Sequence, residues 1–259
     1  MKKITIKKIL KRKNKSPITC LTAYSKNIAQ ILDKYCDIVL VGDSLGMVLH
    51  GFKTTREVTI ETMILYAKTV KKFVKKSLVV VDMPYKTYTN KSNAYKNAKK
   101  IIKLSKCDAV KLEGGKRVAK IIKYLVDRGI HVMGHIGLLP QSSINFKIKG
   151  KNLVQRKKIL EDAIAISKSG VFAIVVECVV EDLAKKITKK ISVPTIGIGA
   201  SKYCDGQVLV TDDMLGLSDF SPKFVKRYSN IKKIIEKSVK NYVNDVKFRK
   251  FPSYRNIYL

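Results

Sequence analysis

The sequence predicts an α/β barrel, because eight short apolar runs alternate with segments of helical periodicity along its 259 residues. Four of these runs end at a carboxylate: IVLVGDSLG at Asp43, LVVVDMP at Asp82, AVKLEGG at Glu113 and AIVVECV at Glu177. One (β/α)8 barrel takes about 250 residues, which matches the chain. We therefore predict a single domain over residues 1–259, with a parallel sheet whose C-terminal edge carries acidic side chains.

Each predicted strand is rich in β-branched residues and ends at polar or turn-forming residues. The predicted strands are 18–24, 37–42, 78–81, 109–112, 131–136, 172–177, 194–198 and 207–210. Apolar side chains three and four residues apart predict helices at 27–35, 59–74, 90–105, 116–127, 154–167, 181–190 and 231–243. Asn90 and Ser92 are both suitable N-caps, and Gly129 and Gly170 are suitable helix stops. Residues 140–152 are predicted to form a loop.

The segment before the first strand, residues 4–15, is basic and amphipathic, and we predict a helix there that closes the barrel floor. Eight strands favour a closed barrel over an open, doubly wound sheet. A dinucleotide-binding sheet has no further support, since no GxGxxG follows the first strand and no GxxxxGK[ST] occurs.

The net charge of +33 is compatible with a polyanionic partner, but its composition argues against a specific one. Of the 53 basic residues, 45 are lysine and 8 are arginine, and they occur in every helical segment. A nucleic-acid surface more often clusters its charge and uses arginine. We therefore expect a compositional bias toward lysine, no specific nucleic-acid partner, and only non-specific adhesion to polyanions at low salt.

Cysteine usage and hydropathy bear on the compartment. The five cysteines lack CxxC spacing and mostly lie in or beside apolar runs, which predicts buried free thiols in a reducing cytoplasm. No apolar run approaches the roughly 20 residues of a membrane-spanning helix, and the basic N-terminus lacks the apolar core of a signal peptide. We expect a cytoplasmic protein with no membrane partner.

The strand-end acids predict metal-assisted chemistry, because catalytic groups of a barrel lie at the C-terminal ends of its strands. Asp43, Asp82 and Glu113 offer oxygen ligands without a Cys/His cluster, which suits a hard cation such as Mg²⁺. An α-keto acid can chelate such an ion, which then acts as a Lewis acid and stabilises an enolate. A single strand-end aspartate is more often a helix cap than a ligand, but three together favour a metal site.

Two further residues complete this hypothesis. Lys111 lies two residues before Glu113, so both point to one side of the strand, and its ammonium can hold a substrate carboxylate. Glu177 is left outside the metal set, and its apolar neighbours suit a general base. His135 at the end of the fifth strand is equally compatible with a core residue and a site residue.

Eight ordered blocks resemble one family: VGDSLGMVLHG, DMPY, VKLEGG, GHIGLLPQS, VVECV, IGIGA, CDGQVLV and PKFVKRY. From about Ile18 to Tyr228 the chain is similar to the ketopantoate hydroxymethyltransferases (3-methyl-2-oxobutanoate hydroxymethyltransferases) of pantothenate synthesis. The resemblance implies a barrel of the phosphoenolpyruvate/pyruvate-like group, Mg²⁺, a homodecamer, and 5,10-methylenetetrahydrofolate as the one-carbon donor. The products would be 2-dehydropantoate and tetrahydrofolate.

By the same resemblance, the metal ligands are Asp43, Asp82 and Glu113. The residues that contact the ketoacid are Asp43, Ser44, Asp82 and Lys111. The resemblance also implies that Glu177 is the proton acceptor and that His135 lies beside the substrate. The chain departs from the family pattern at Ser25, in the short loop 143–150, at Ser201 and at Asp212. These departures affect folate-facing loops and turnover, not the reaction type. The alternatives are another ketoacid enzyme of this barrel group, a nucleic-acid-binding barrel, and an inactive relative.

Overall fold

Eight parallel strands form a closed barrel in chain order, which confirms the predicted fold class. The computed structural model describes residues 3–143, 147–219 and 222–258. The strands are β1 (Ile18–Thr22), β2 (Ile38–Val41), β3 (Leu78–Asp82), β4 (Ala109–Glu113), β5 (Val132–Gly137), β6 (Ala173–Glu177), β7 (Thr195–Ile198) and β8 (Gly206–Leu209). Strand β8 pairs with β1 and closes the ring, so the barrel has no free sheet edge.

The helices of the described residues follow the predicted pattern, with short additions. They are α1 (Ile6–Leu10), α2 (Lys26–Tyr35), α3 (Leu45–Val48), α4 (Ile60–Phe73), α5 (Lys91–Ser105), α6 (Lys116–Val126), α7 (Leu153–Lys168), α8 (Glu181–Lys190), α9 (Thr211–Leu215) and α10 (Ile231–Lys247), with 3-10 turns at Thr55–Glu57 and Tyr254–Asn256. Helices α3 and α9 were not predicted, because four or five residues are too few to show a helical period. No helix in the part of the chain that the structure describes is long and apolar enough to cross a membrane.

The chain divides into two compact units, Met1–Val210 and Thr211–Leu259, and the first contains all eight strands. Inside the first unit, apolar residues on alternate strand positions fill the lower barrel, among them Leu78, Val80 and Met133. A second apolar layer lies between the outer faces of the strands and helices α2 to α8. This two-layer arrangement leaves the C-terminal ends of the strands for polar side chains.

The basic N-terminal segment closes the barrel floor, as predicted. Ile9 of α1 is buried among the inward-facing strand residues. Three basic side chains form ion pairs with acids that precede three different strands: Lys3 with Asp108 (2.9 Å), Arg12 with Asp37 (2.6 Å) and Lys13 with Asp205 (2.9 Å). These pairs give part of the lysine-rich composition a structural role.

Several predicted boundaries differ from the structure; helix α10, for example, runs four residues further than predicted, to Lys247. The N-terminal helix is five residues long, not twelve, because Asn14 has a φ of 56° and Ser16 precedes a proline. Strand β1 ends at Thr22, two residues early, since Ser25 already caps α2. Strands β3 and β4 each run one residue further than predicted, so that Asp82 pairs with Lys111 and Glu113 pairs with His135.

All five cysteines are buried free thiols, as expected. Burial raises the pKa of the Cys36 and Cys107 thiols to about 11, so they remain protonated near neutral pH. Most of the predicted loop 140–152 is described and contains no helix before Leu153. Residues 144–146 of that loop lie outside the described residues.

Candidate active site

Charged side chains replace apolar ones at the upper ends of the inward-facing strand positions. Below them, alternate positions hold apolar side chains such as Val80, Ala109, Met133 and Val175. The charged residues that continue these positions are Asp82 on β3, Lys111 and Glu113 on β4, His135 on β5 and Glu177 on β6. Because the pleat alternates with a period of two, the same register that buries the apolar residues brings these groups to one end of the barrel.

Lys111 lies at the centre of this cluster. Its Nζ is 3.0 Å from Asp82 Oδ1, and the two side chains are 6% and 4% exposed. The contact is an ion pair without the angle of a hydrogen bond, so Asp82 Oδ1 has no hydrogen-bond partner among the described residues. The same Nζ lies 3.4 Å from His135 Nδ1. A buried ammonium in this position offers positive charge to an anion that enters from the top of the barrel.

His135 stands between two glutamates. Its Nδ1 is 3.6 Å from Glu113 Oε1, and its Nε2 is 3.2 Å from Glu177 Oε2. Neither contact is aligned as a hydrogen bond, and Nε2 has no hydrogen-bond partner in the described part of the chain. The His135 ring is buried, whereas the Glu177 carboxylate is partly exposed. Of the two glutamates, Glu177 is therefore the one that faces the barrel mouth. The structure therefore places His135 in the site and not in the apolar core.

Asp43 joins the cluster from the loop after β2. Its backbone N–H donates to Asp82 Oδ2 over 3.1 Å. Next to it, Ser44 Oγ is 2.8 Å from the Tyr24 hydroxyl, which holds the serine at the edge of the site. All six residues that the sequence marked as ligands or substrate contacts thus lie at the same barrel end as Glu177.

The two cations remain charged because acids surround them. Burial by itself lowers the pKa of the Lys111 ammonium, but the charges of Asp82, Glu113 and Asp43 outweigh burial and raise it. Burial and Lys111 lower the pKa of His135, while Glu113 and Glu177 raise it to a net value of about 9. Near neutral pH this imidazole is therefore protonated.

The acids respond to burial in different directions. Burial, reinforced by the charges of Asp82 and Glu113, raises the pKa of Asp43 well above its usual range. Burial also raises the pKa of Asp82, although Lys111 partly offsets it. For Glu113, burial is outweighed by His135 and Lys111, and its pKa is lowered. The ionised forms of Asp43 and Asp82 are therefore not fully stabilised by the protein alone.

The donor set fits a hard divalent cation. Four carboxyl groups and two basic side chains, Lys111 and His135, share this end of the barrel, so acidic groups outnumber basic ones by two. Oxygen ligands with a surplus of negative charge are what Mg²⁺ prefers. Among the described residues, no three acidic, histidine or cysteine groups already surround one point closely enough to hold a metal ion. The donors are chemically suited to the cation, although in the described structure their side chains do not surround a single point.

Gln141 was not predicted as a site residue, although it lies in the block GHIGLLPQS. Its side-chain Nε2 donates to Asp43 Oδ2 over 2.7 Å, and its backbone N–H donates to Glu113 Oε2 over 3.1 Å. A polar residue after a proline in a loop has no periodic signal. Only its place in a block that also contains His135 marked it.

Comparison with known proteins identifies the family. The family model described as ketopantoate hydroxymethyltransferase matches residues 3–254 of the chain. The chain belongs to the ketopantoate hydroxymethyltransferase family. A 3-methyl-2-oxobutanoate hydroxymethyltransferase of Pelagibacter ubique is 58% identical over 255 residues, which cover 97% of this chain and 99% of that relative. Membership makes the chain a transferase related to pantothenate synthesis, and it confirms the resemblance of the eight sequence blocks.

Two solved structures share the barrel. A 2,3-dimethylmalate lyase of the PEP mutase/isocitrate lyase superfamily has a TM-score of 0.62 at 12% identity and covers 96% of this chain and 85% of its own. A phosphonopyruvate hydrolase solved with oxalate and Mg²⁺ has a TM-score of 0.62 at 9% identity and covers 97% of this chain and 93% of its own. At such identities the likeness concerns the fold alone, and it agrees with the predicted (β/α)8 barrel.

Two of the positions that the sequence analysis set apart from the family pattern, Ser25 and Ser201, make contacts outside the acid cluster. Ser25 caps α2 by accepting a hydrogen bond from the backbone N–H of Ile28. Ser201 is buried, and its hydroxyl donates to Glu181. Asp212 lies in the first turn of α9. The loop 143–150 falls partly on residues 144–146, which are outside the described residues.

Proposed function

We propose that this protein transfers a hydroxymethyl group from 5,10-methylenetetrahydrofolate to 3-methyl-2-oxobutanoate and forms 2-dehydropantoate and tetrahydrofolate. The observation that carries the proposal is the convergence of Asp82, Lys111, Glu113, His135 and Glu177 at one end of the barrel. Family membership indicates that the substrate is a ketoacid. The cluster contains the groups that a reaction on a ketoacid needs.

Lys111 is suited to hold the carboxylate of the ketoacid. Its Nζ is buried, charged and in contact with the ketoacid-facing acid Asp82. The Ser44 hydroxyl, oriented by Tyr24, supplies a further hydrogen-bonding group at the edge of the site. A bound carboxylate would compete with Asp82 for the ammonium, which would release Asp82 for another partner.

Asp43, Asp82 and Glu113 are the residues that would hold Mg²⁺. Burial makes the negative charge of Asp43 and Asp82 costly, and a divalent cation would balance it. When bound, the cation supplies Lewis acidity that stabilises the enolate of the substrate by several kcal/mol.

Glu177 is the proposed base. It takes the C3 proton of the ketoacid, and the C3 carbanion forms a bond to the methylene carbon as one of the two bonds from that carbon to the folate nitrogens breaks. Water then supplies the hydroxyl group as the second carbon–nitrogen bond breaks, and the two nitrogens take up the proton removed from C3 and the proton released by the water. His135 Nε2, 3.2 Å from Glu177 Oε2, orients the carboxylate toward the ketoacid.

The homodecamer, the cytoplasmic location and the role of His135 beside the substrate are part of the same proposal. They follow from the resemblance of this chain to its family. Sedimentation velocity of the purified protein measures the assembly directly, and a decamer is the expected species.

The test is formation of 2-dehydropantoate from 3-methyl-2-oxobutanoate, with and without methylenetetrahydrofolate and with and without Mg²⁺. We expect product only when both are present. Formation of another product from the ketoacid without folate would favour a different enzyme of this barrel group. Activity in excess EDTA equal to that with Mg²⁺ would remove the metal from the proposal.

The base assignment has its own experiment. Exchange of the C3 proton of 3-methyl-2-oxobutanoate into deuterated water, followed by NMR, should slow by roughly 100-fold or more in Glu177→Gln. Glu61→Gln is the matched control, because Glu61 is 70% exposed on α4. If Glu177→Gln exchanges the proton at the wild-type rate, Glu177 is not the base.

A further inference from the structure

We propose that Gln141 is a positioning residue that holds the carboxylates of Asp43 and Glu113 in the orientation that binds a divalent cation. The inference rests on the proposed function in one respect, since it takes these two acids as cation ligands. It adds a role for an uncharged residue that would act through the two acids it contacts.

Gln141 connects the C-terminal ends of three neighbouring strands. It is 2% exposed, and its hydrogen bonds reach residues at or just after the ends of β2, β3 and β4. The contacts are Nε2 to Asp43 Oδ2 (2.7 Å), Nε2 to the Met83 carbonyl (2.9 Å), the backbone N–H to Glu113 Oε2 (3.1 Å), and its own carbonyl from Arg56 Nε (2.8 Å). The loops after β2 and β3 and the last residue of β4 are therefore tied to one residue of the loop after β5.

The orientation of the side-chain amide is determined by its partners. Nε2 faces two acceptors, Asp43 Oδ2 and the Met83 carbonyl, while Oε1 accepts the Tyr88 hydroxyl at 2.5 Å. A flipped amide would place Oε1 against both acceptors and leave the phenol facing an NH₂ group. Burial raises the pKa of Tyr88, so the phenol stays protonated and remains a donor. Tyr88 thus fixes the amide, and the amide fixes Asp43.

Gln141 uses one oxygen of each acid. It binds Oδ2 of Asp43 and Oε2 of Glu113, so rotation of either carboxylate would break a buried hydrogen bond. The other oxygen of Asp43 remains for a cation, and the other oxygen of Glu113, 3.6 Å from His135 Nδ1, would be shared between the imidazole and the cation. Because the amide is neutral, it orients the acids without reducing the surplus negative charge that attracts the cation. A lysine at this position would neutralise that charge, and a glutamate would repel Asp43.

The experiment measures Mg²⁺ binding by isothermal titration calorimetry on the full-length protein without substrate. Gln141→Met keeps the length of the side chain and the backbone bond to Glu113, but removes the donor to Asp43. We expect its Mg²⁺ dissociation constant to rise by roughly 10- to 100-fold, as is usual when a group that orients a metal ligand is lost. Tyr88→Phe should give a smaller increase, and the double variant should weaken binding by less than the product of the two factors, because Tyr88 acts through Gln141.

Gln30→Met on the exposed face of α2 is the matched control and should bind Mg²⁺ like the wild type. Far-UV circular dichroism confirms that each variant is folded, and Tyr88→Phe serves as the test if Gln141→Met does not fold. An unchanged Mg²⁺ dissociation constant in folded Gln141→Met would overturn the inference. If only Tyr88→Phe folds, an unchanged dissociation constant in that variant would overturn it. So would a wild type that catalyses the transfer but binds no Mg²⁺.

The inference and the proposed function fail separately. If the wild type binds Mg²⁺, Gln141→Met weakens it, and no 2-dehydropantoate forms from the ketoacid and folate, the positioning role stands while the proposed reaction falls. In an active enzyme, the positioning role also predicts that raising Mg²⁺ restores most of the kcat of Gln141→Met, which loss of a group acting on the substrate would not allow.

Discussion

Replacing Lys111 by methionine tests whether this ammonium balances the acids of the site and holds the substrate. Its Nζ is 3.0 Å from Asp82 Oδ1, and both side chains are at most 6% exposed. Breaking a buried pair by removing one partner typically costs about 3–5 kcal/mol, since the remaining charge stays buried. We expect the lower end, about 3 kcal/mol at pH 7, because burial already raises the pKa of Asp43 and Asp82 and lets them take up protons.

The pH dependence follows from the signs of these shifts. The folded-state pKa of Lys111 is raised, so its stabilisation is complete below the unfolded value and is intact at pH 7. Asp43 and Asp82 also have raised folded pKa values, so they become protonated more readily as the pH falls. In the variant, the loss of unfolding free energy should therefore be smaller at pH 5 than at pH 7.

The assay is urea unfolding followed by circular dichroism in EDTA at both pH values, together with steady-state kinetics at saturating Mg²⁺. Loss of a charge-assisted contact worth about 1.5–3 kcal/mol should raise the KM for the ketoacid by roughly 10- to 150-fold. Lys103→Met, on an exposed position of α5, is the control. Unfolding free energies within about 0.5 kcal/mol of the wild type, or an unchanged KM, would refute the reasoning.

Three further predictions concern neighbouring features. In EDTA, the unfolding free energy should fall by up to about 3 kcal/mol between pH 6.5 and 9, because the pKa of His135 rises to about 9 on folding. In urea titrations, His135→Gln should show a smaller dependence of the unfolding free energy on pH. An equally steep dependence in this variant would contradict the prediction. Lys13→Met should cost about 2 kcal/mol in the same assay, since Asp205 loses a buried cation but keeps other hydrogen bonds; no loss would mean that the floor ion pair is dispensable. Gly137→Ala should lower the melting temperature by several degrees, because φ is +95° and the new Cβ would lie 2.3 Å from the Glu177 carbonyl; an unchanged melting temperature would show that the loop relaxes freely.

Much of the site was predictable because it is carried by regular strands. Apolar runs that end at Asp82, Glu113 and Glu177 indicate both the strands and the end of the barrel where polar groups gather. The spacing of Lys111 and Glu113 by two residues predicts that they share a face, and both point into the barrel. The assigned roles of these residues in metal binding and catalysis stay predictions until the experiments above are done.

Other parts of the site depend on which loops meet. His135 was compatible with a core or a site position, and only the register of β4, β5 and β6 places it between Glu113 and Glu177. Gln141 is 98 residues from Asp43 in sequence, yet the two are hydrogen-bonded. No local pattern encodes such a contact, because it exists only after the sheet has closed.

By itself, the sequence determined the barrel class, the family and the strand ends that carry the acids, since hydrophobic periodicity and strand length are local properties of the chain. The tertiary structure decided the ion pairs on the floor, the place of His135 and the link from Tyr88 through Gln141 to Asp43. These contacts join residues far apart in sequence. Their distances are set by barrel closure and by the packing of loops, and neither is contained in any single segment.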